Sequence, residues 1–208
     1  MKLIAITQRV AIEPHHGERR DCLDQRWHSL LESVGAVIIP VPNGLTDVAQ
    51  WATAVRVEGV ILSGGNSLSH LPYAAGSAPE RDGVEHQLLD WAVSKRVPVL
   101  GVCRGLQMMA YYLGGSLVPV REHAGTRHHV RTQSGLRMVN SYHNYALPNT
   151  CTDLEIKVTA WDDEGYIEAF AHKELPWIGI MWHPERETEP DDDDILIFQT
   201  LFNLPGGA

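Results

Sequence analysis

Short, continuous apolar runs punctuate the first half of the chain: "KLIAIT" at 2–7, "AVIIPV" at 36–41, "GVILSG" at 59–64 and "VPVLGV" at 97–102. They are rich in Val, Ile and Leu and lack the alternation of a strand with one wet face. They therefore predict strands buried on both sides, as in a parallel sheet covered by helices. Between them, 23–34, 46–55 and 81–94 carry helix-compatible spacing. In the last, Val84, Leu88, Leu89 and Trp91 follow an acidic start that suits a helix N-terminus. Strand and helix in alternation predict a layered α/β architecture with right-handed crossovers.

The pattern changes in the second half. "SLVPV", "LRMVN", "LEIKVTAWD", "YIEAFAH" and "WIGIMWH" are β-rich and more amphipathic, with turn signals such as "DDEG" between them. They predict an antiparallel extension, a strand that returns to the main sheet, and a last helix over about 193–202. No repeat, linker or low-complexity segment interrupts the pattern. With 208 residues, 1–208 is expected to form a single domain.

Composition narrows the function classes. With 44% hydrophobic and 21% charged residues the chain has the apolar mass for a real core, which excludes disorder as its main state. A formal net charge of -9 argues against nucleic acid as a partner, because that binding rests on clustered Lys and Arg. Asp191 to Asp194 read as a solvated loop or helix start. The three cysteines, Cys22, Cys103 and Cys151, form no CxxC pair, which suits a reducing compartment. No run is long enough to span a bilayer, and "MKLIAITQRV" is too short for a secretory leader. A soluble, cytoplasmic protein is expected.

Candidate chemistry starts at "GVCRGLQMM", residues 101–109. A strand, a G-x-C-x-G turn and a helix make a nucleophile elbow that lifts Cys103 above the sheet edge, where open α/β sheets bind ligands. Helix amides behind the sulfur favour thiolate. Acyl transfer also needs a proton donor, and of the 11 histidines His183 in "GIMWHPERE" stands at a strand end with Glu185 two residues on. Glu185 would fix the imidazole tautomer, with Glu187 as the nearby competitor. Backbone N–H groups of Arg104 and of Gly65, in "SGGN", would form the oxyanion hole. The Arg104 side chain has two readings, a substrate-binding cation or a salt-bridged surface residue. "REHAGTRHHVR" at 121–131 invites a zinc reading, but His123, His128 and His129 lack a cysteine partner or i, i+4 pairing. A basic loop beside the active-site mouth is the expectation there. With Arg19 and Arg20, the arginines at 121, 127 and 131 would suit a phosphate-bearing leaving group.

Together, "ILSGG", "GVCRGLQ" and "WHPE" resemble a class I glutamine amidotransferase domain. Within that superfamily "RDGVEHQLLDWA" and "VNSYHNYAL" are similar to the free-standing γ-glutamyl-γ-aminobutyrate hydrolase type. The resemblance spans nearly the whole chain. It implies a three-layer, flavodoxin-like fold with a mostly parallel sheet, and an enzyme hydrolysing a γ-glutamyl amide through a γ-glutamyl thioester. Cys103 would be the nucleophile, His183 the general acid/base and Glu185 its orienter. Gln107 would contact the α-amino or α-carboxylate end of the glutamyl group, and Asn140, Ser141, Tyr142 and His143 would line the same pocket. No metal or other cofactor is implied. The partner is a small γ-glutamyl substrate, with neither nucleic acid nor membrane, and a homodimer stays open. The alternative is a glutaminase subunit feeding ammonia to a separate synthase, less favoured because no synthase domain is fused. Met181 replaces the Gln that many amidotransferases carry, and "HNY" at 143–145 replaces a frequent "HHQ", which leaves the amine open.

Overall fold

The computed structural model describes residues 1–74, 76–151 and 153–205. In chain order its elements are β1 (Lys2–Thr7), β2 (Arg9–Ile12), β3 (Arg19–Cys22), α1 (Arg26–Ser33), β4 (Ala36–Val41), α2 (Val48–Val55), β5 (Gly59–Leu62), α3 (Pro79–Lys95), β6 (Val99–Val102) and α4 (Arg104–Tyr112). There follow β7 (Val118–Pro119), β8 (Thr126–Thr132), β9 (Gly135–Ser141), β10 (Tyr145–Pro148), β11 (Ile156–Asp162), β12 (Tyr166–His172), β13 (Trp177–Ile180) and α5 (Asp192–Phe202). The main sheet runs β4-β1-β5-β6-β13-β12-β11-β8-β9. Its first five strands are parallel, and from β13 onward every pairing is antiparallel. The α/β architecture, the antiparallel extension and the returning strand are thus as expected.

Side-chain alternation builds three layers. Ala5, Val60, Leu62 and Val99 face the layer of α2, α3 and α4, where Val84, Leu88, Leu89 and Leu106 pack. Ile4, Ile6, Ile61, Leu100 and Val102 face the opposite layer, against Trp27, Leu31, Phe198 and Phe202 of α1 and α5. All four residues of β5 and of β6 are buried, which is why those runs are apolar without alternation. At the sheet edge β4 is only partly buried.

Helix boundaries follow local capping chemistry. The Asp47 carboxylate accepts from Gln50 N at 2.8 Å and starts α2 at Val48 rather than at 46. Pro79 opens α3 and Glu80 and Asp82 occupy its first turn, so it runs longer than 81–94 at both ends. Asp191 caps α5, but Asp194 is buried and accepts from Arg137 and Trp182, so the acidic run is only partly a solvated helix start. Two sequence expectations change, and one element had none. The segment at 126–132 is strand β8 rather than a loop, because it pairs with β9 over its whole length. "SLVPV" yields only the two residues of β7. The hairpin β2–β3 had no apolar run to announce it; only Val10 of its strands is buried.

Among the described residues no helix is long and apolar enough to cross a membrane.

Candidate active site

Three parallel strands deliver the site. β5, β6 and β13 lie side by side with Leu62 paired to Gly101 and Val102 to Ile180, so Ser63–Asn66, Cys103 and His183 emerge at one carboxyl edge. Cys103 is the elbow residue, at φ 53, ψ -104, a conformation that side chains rarely adopt. Its own N–H donates to Ile180 O at 2.8 Å, and its carbonyl accepts from Gln107 N at 3.1 Å as α4 begins. The flanking glycines are demanded by space. A Cβ on Gly101 would sit 2.4 Å from Met109 Sδ, and one on Gly105 would sit 2.0 Å from Leu62 O.

Cys103, His183 and Glu185 are all buried. The His183 Nδ1–H donates to Glu185 Oε1 at 2.6 Å, which fixes the tautomer and leaves Nε2 for the sulfur. Burial works to raise the Cys103 thiol, but the positive charge of His183 and a hydrogen bond to it outweigh burial, so the thiol lies below its ordinary 9.0. On His183 burial acts downward and is outweighed by Cys103 and Glu185, which push the imidazole up to about 9. The two groups thus favour a thiolate–imidazolium pair near neutral pH. Gly64 is pressed against this pair, since a Cβ there would lie 2.5 Å from His183 Cε1.

A cavity of about 320 Å³ opens over the sulfur, lined by Gly65, Cys103, Gln107, Tyr142, His143 and His183 among others. Gln107 is buried, with Nε2 donating to Tyr145 O at 2.9 Å, and Met181 Sδ sits 3.8 Å from the same nitrogen. Tyr142 stands edge-on to His183 and carries the Arg186 guanidinium over its ring at 4.3 Å. Asn140 and Ser141 do not line the cavity. Asn140 holds the His183 backbone on both sides, donating to its carbonyl at 2.8 Å and accepting from its N–H at 2.9 Å. Ser141 is buried as the last residue of β9 and accepts from Gly125 N through its carbonyl.

The Arg104 side chain is salt-bridged, as the second sequence reading expected, but inside the protein rather than on the surface: it is buried and pairs with Glu85 and Asp82 of α3. Its neighbour in that network, Arg81, escaped the sequence reading altogether. Fully buried, Arg81 donates to the carbonyls of Ser63 at 2.6 Å, Gly64 at 3.1 Å and Gly65 at 2.6 Å. Glu85 accepts from Arg81 at 2.8 Å and from Thr7 at 2.7 Å. A signal existed in "RDGVE": Arg81 and Glu85, at i and i+4, share their helix face with Leu88, Leu89 and Ala92 of the core.

The basic residues are spent differently from the expectation. Arg127 pairs with Glu187 at 2.8 Å, Arg131 with Asp163 at 3.1 Å, Arg20 with Glu18 at 2.7 Å, and Arg19 with Glu80. The pairing with Arg127 and Asn140 also removes Glu187 as a competitor for the imidazole. The arginines beside the catalytic edge are instead Arg9 and Arg186, which line an adjoining groove with Gly65, Trp27 and Glu185.

Fold and site define an α/β protein with a buried cysteine at a strand-to-helix elbow and, lining the same cavity, a buried histidine that hydrogen-bonds a glutamate. The chain belongs to the class I glutamine amidotransferase family, whose model matches residues 20–203. It is 35% identical over 195 residues to the γ-glutamyl-CDP-amidate hydrolase of Campylobacter jejuni, covering 93% of this chain and 94% of that one. It is 24% identical to the γ-glutamyl-γ-aminobutyrate hydrolase of Escherichia coli O157:H7, over 81% and 80% of the two chains. A glutamine amidotransferase structure from Thermotoga maritima superposes with TM-score 0.62 at 17% identity, over 88% of this chain and 76% of that one, a likeness of fold.

Proposed function

We propose that this protein hydrolyses a γ-glutamyl amide. The observation that carries the reading is the buried pair Cys103 and His183 beneath one cavity, with buried Glu185 hydrogen-bonded to the imidazole, the thiol lowered and the imidazole raised. The thiolate of Cys103 attacks the γ-carbonyl carbon, whose π electrons move onto oxygen. The N–H groups of Arg104 and Gly65 receive that oxyanion. The Arg81 bonds support this role, because a guanidinium drawn to three successive carbonyls holds the loop in one orientation. Collapse of the adduct breaks the C–N bond, and His183 gives its proton to the departing nitrogen. His183 then deprotonates a water that attacks the γ-glutamyl thioester; the C–S bond breaks with its electron pair on sulfur, releasing glutamate and restoring the thiolate–imidazolium pair. Glu185 keeps the imidazole oriented throughout.

The glutamyl end would sit against Gln107 and the Tyr142–His143 wall, with Gln107 Oε1 facing the α-ammonium because Nε2 is engaged with Tyr145 O. The leaving group would occupy the groove with Arg9 and Arg186, whose charge suits a phosphate-bearing amine such as a nucleotide amidate. The name of the Campylobacter relative supports that choice. A panel of γ-glutamyl conjugates with and without phosphate in the amine, followed by glutamate release, tests the proposal. Hydrolysis by the purified chain, preference for phosphate and loss of turnover in Cys103→Ala are expected. Full activity of Cys103→Ala would sink the mechanism. Turnover of glutamine alone, stimulated by an added synthase, would instead favour an amidotransferase subunit.

A further inference from the structure

A second polar cluster lies behind the wall of the cavity. His123 from the loop before β8, His128 on β8, His143 in the turn after β9 and Glu168 on β12 each turn one ligand atom toward a common point, and these atoms all lie within 4.8 Å of one another. We propose that this cluster is a binding site for a divalent transition-metal ion of the zinc type, which pins the antiparallel extension to the turn beside Cys103.

The spacings carry the argument. His123 Nδ1 is 3.4 Å from His143 Nε2, His143 Nε2 is 3.4 Å from Glu168 Oε1, and His128 Nε2 is 3.4 Å from the other oxygen of that carboxylate, Oε2, so either oxygen can serve as the ligand atom beside an imidazole. Ligands at about 2.0–2.1 Å around a tetrahedral ion sit about 3.3–3.4 Å apart by geometry, whereas neighbours around an octahedral ion at that radius sit about 3.0 Å apart. The remaining separations extend to 4.8 Å, so those ligand atoms have to draw closer as the ion binds. Imidazole with one carboxylate is a donor set that zinc favours.

The surrounding bonds leave the same atoms available. His143 Nδ1 donates to Tyr145 O at 3.1 Å, so in the neutral ring, the form that binds a metal, Nε2 holds the lone pair. His123 Nε2 faces Glu164 Oε1 at 3.3 Å, which leaves Nδ1 to the cluster. This is the carboxylate or carbonyl support that orients metal-binding histidines. Two buried atoms, His128 Nε2 and Glu168 Oε1, have no hydrogen-bond partner among the described residues, and both point into the cluster. A surface cleft lined by Arg121, His123, His128, Asp162 and Glu164 provides an entry path. Four protein ligands from four segments make a closed, structural coordination rather than a catalytic one with an open position.

The test uses the untagged chain, stripped with chelator and titrated with Zn(II) or Co(II). Expected are one equivalent of metal per chain retained through gel filtration, the intense visible bands of tetrahedral Co(II), and a zinc-induced rise in Tm. His128→Asn and Glu168→Gln should each weaken binding by more than the about 10- to 100-fold that loss of a supporting partner costs. His28→Asn, on exposed α1, should change nothing. His128 is partly exposed, so its variant keeps the fold if Glu168→Gln does not. Absence of retained metal, an octahedral Co(II) spectrum, or unaltered binding in His128→Asn would overturn the proposal.

Discussion

Gly64→Ala is the sharpest probe of the site, because its effect follows from one contact. The added Cβ would lie 2.5 Å from His183 Cε1 and 3.4 Å from both ring nitrogens. Carbon atoms pack at about 3.5–4.0 Å, so roughly 1 Å of overlap has to be relieved. Gly64 has no positive φ, so the backbone accepts Ala without strain, and the relief falls on the imidazole or on the loop that Arg81 holds. A catalytic group displaced by about 1 Å loses about 100-fold in rate. That is about 2.7 kcal/mol of barrier, while overpacking costs the fold about 1–3 kcal/mol. We expect kcat/KM for glutamate release to fall about 100-fold, and the rate of Cys103 alkylation by iodoacetamide to fall with it, since both require the imidazole beside the sulfur. Gly44→Ala, whose Cβ meets nothing within 4 Å, is the control for substitution as such. If Gly64→Ala kept kcat/KM within about twofold of the parent with an unchanged Tm, the imidazole would not be the group that overlap reaches.

Other consequences are as direct. The pH profile of kcat/KM should rise as the lowered Cys103 thiol ionises and fall as His183 loses its proton near pH 9; Glu185→Gln removes a charge that raises His183, so the alkaline limb should move to lower pH. By linkage, the raised His183 pKa stabilises the fold fully below its unfolded pKa and loses that contribution as pH rises through about 9, which urea titrations at pH 6 and above 9 would detect. Arg81→Met leaves Glu85 facing Arg104 alone and releases three carbonyls; removing one partner of a buried charge network costs about 3–5 kcal/mol, measured by urea unfolding, and kcat should fall even at saturating substrate. Cys103→Gly should unfold at higher temperature than Cys103→Ala, because strain of about 1–3 kcal/mol at φ 53 exceeds the entropy that glycine adds to the unfolded chain; equal Tm values would show that the elbow is unstrained.

What could be read in the sequence was what a short stretch of chain determines. The elbow is a strand, a turn and a helix within twelve residues, so "VPVLGVCRGLQM" announces both the local fold and the cysteine that stands at its turn. His183 and Glu185 are likewise neighbours in sequence, and β13, parallel to β6, brings them to the same sheet edge as Cys103. Asn140 and Ser141 misled because chain adjacency does not decide which way a side chain points. At the end of β9 they pack inward on His183 and the sheet, and of the four only Tyr142 and His143 line the cavity. Arg81 was missed because its role is to reach carbonyls that lie 16 to 18 residues earlier. The histidines of "REHAGTRHHVR" gained no metal reading for a similar reason, since His143 and Glu168 arrive only through the pairing of β8 with β9 and β11 with β12.

Why an arginine should follow the nucleophile has an electrostatic answer. Burying Arg81, Glu85 and Arg104 together costs desolvation that their mutual attraction only roughly offsets, so stability is a poor reason for the network. Its effect on each member is visible: burial and the neighbouring Arg104 lower Arg81 to about 10, while burial would raise Glu85 and the two arginines bring it below its ordinary value. Glu85 therefore stays ionised and holds both cations in place. One cation clamps Ser63, Gly64 and Gly65, the other belongs to the first residue of α4, and Thr7 at the end of β1 ties in through Glu85 and Ser63 N. The two backbone donors proposed for the oxyanion hole, on Gly65 and Arg104, thus sit on segments locked to a single carboxylate. Donors held this way need no reorganisation as charge develops, which is where an oxyanion hole gains most of its effect. An arginine side chain buried against Glu85 and Asp82 beside Cys103 serves that rigidity, while its backbone N–H is left to the proposed oxyanion hole.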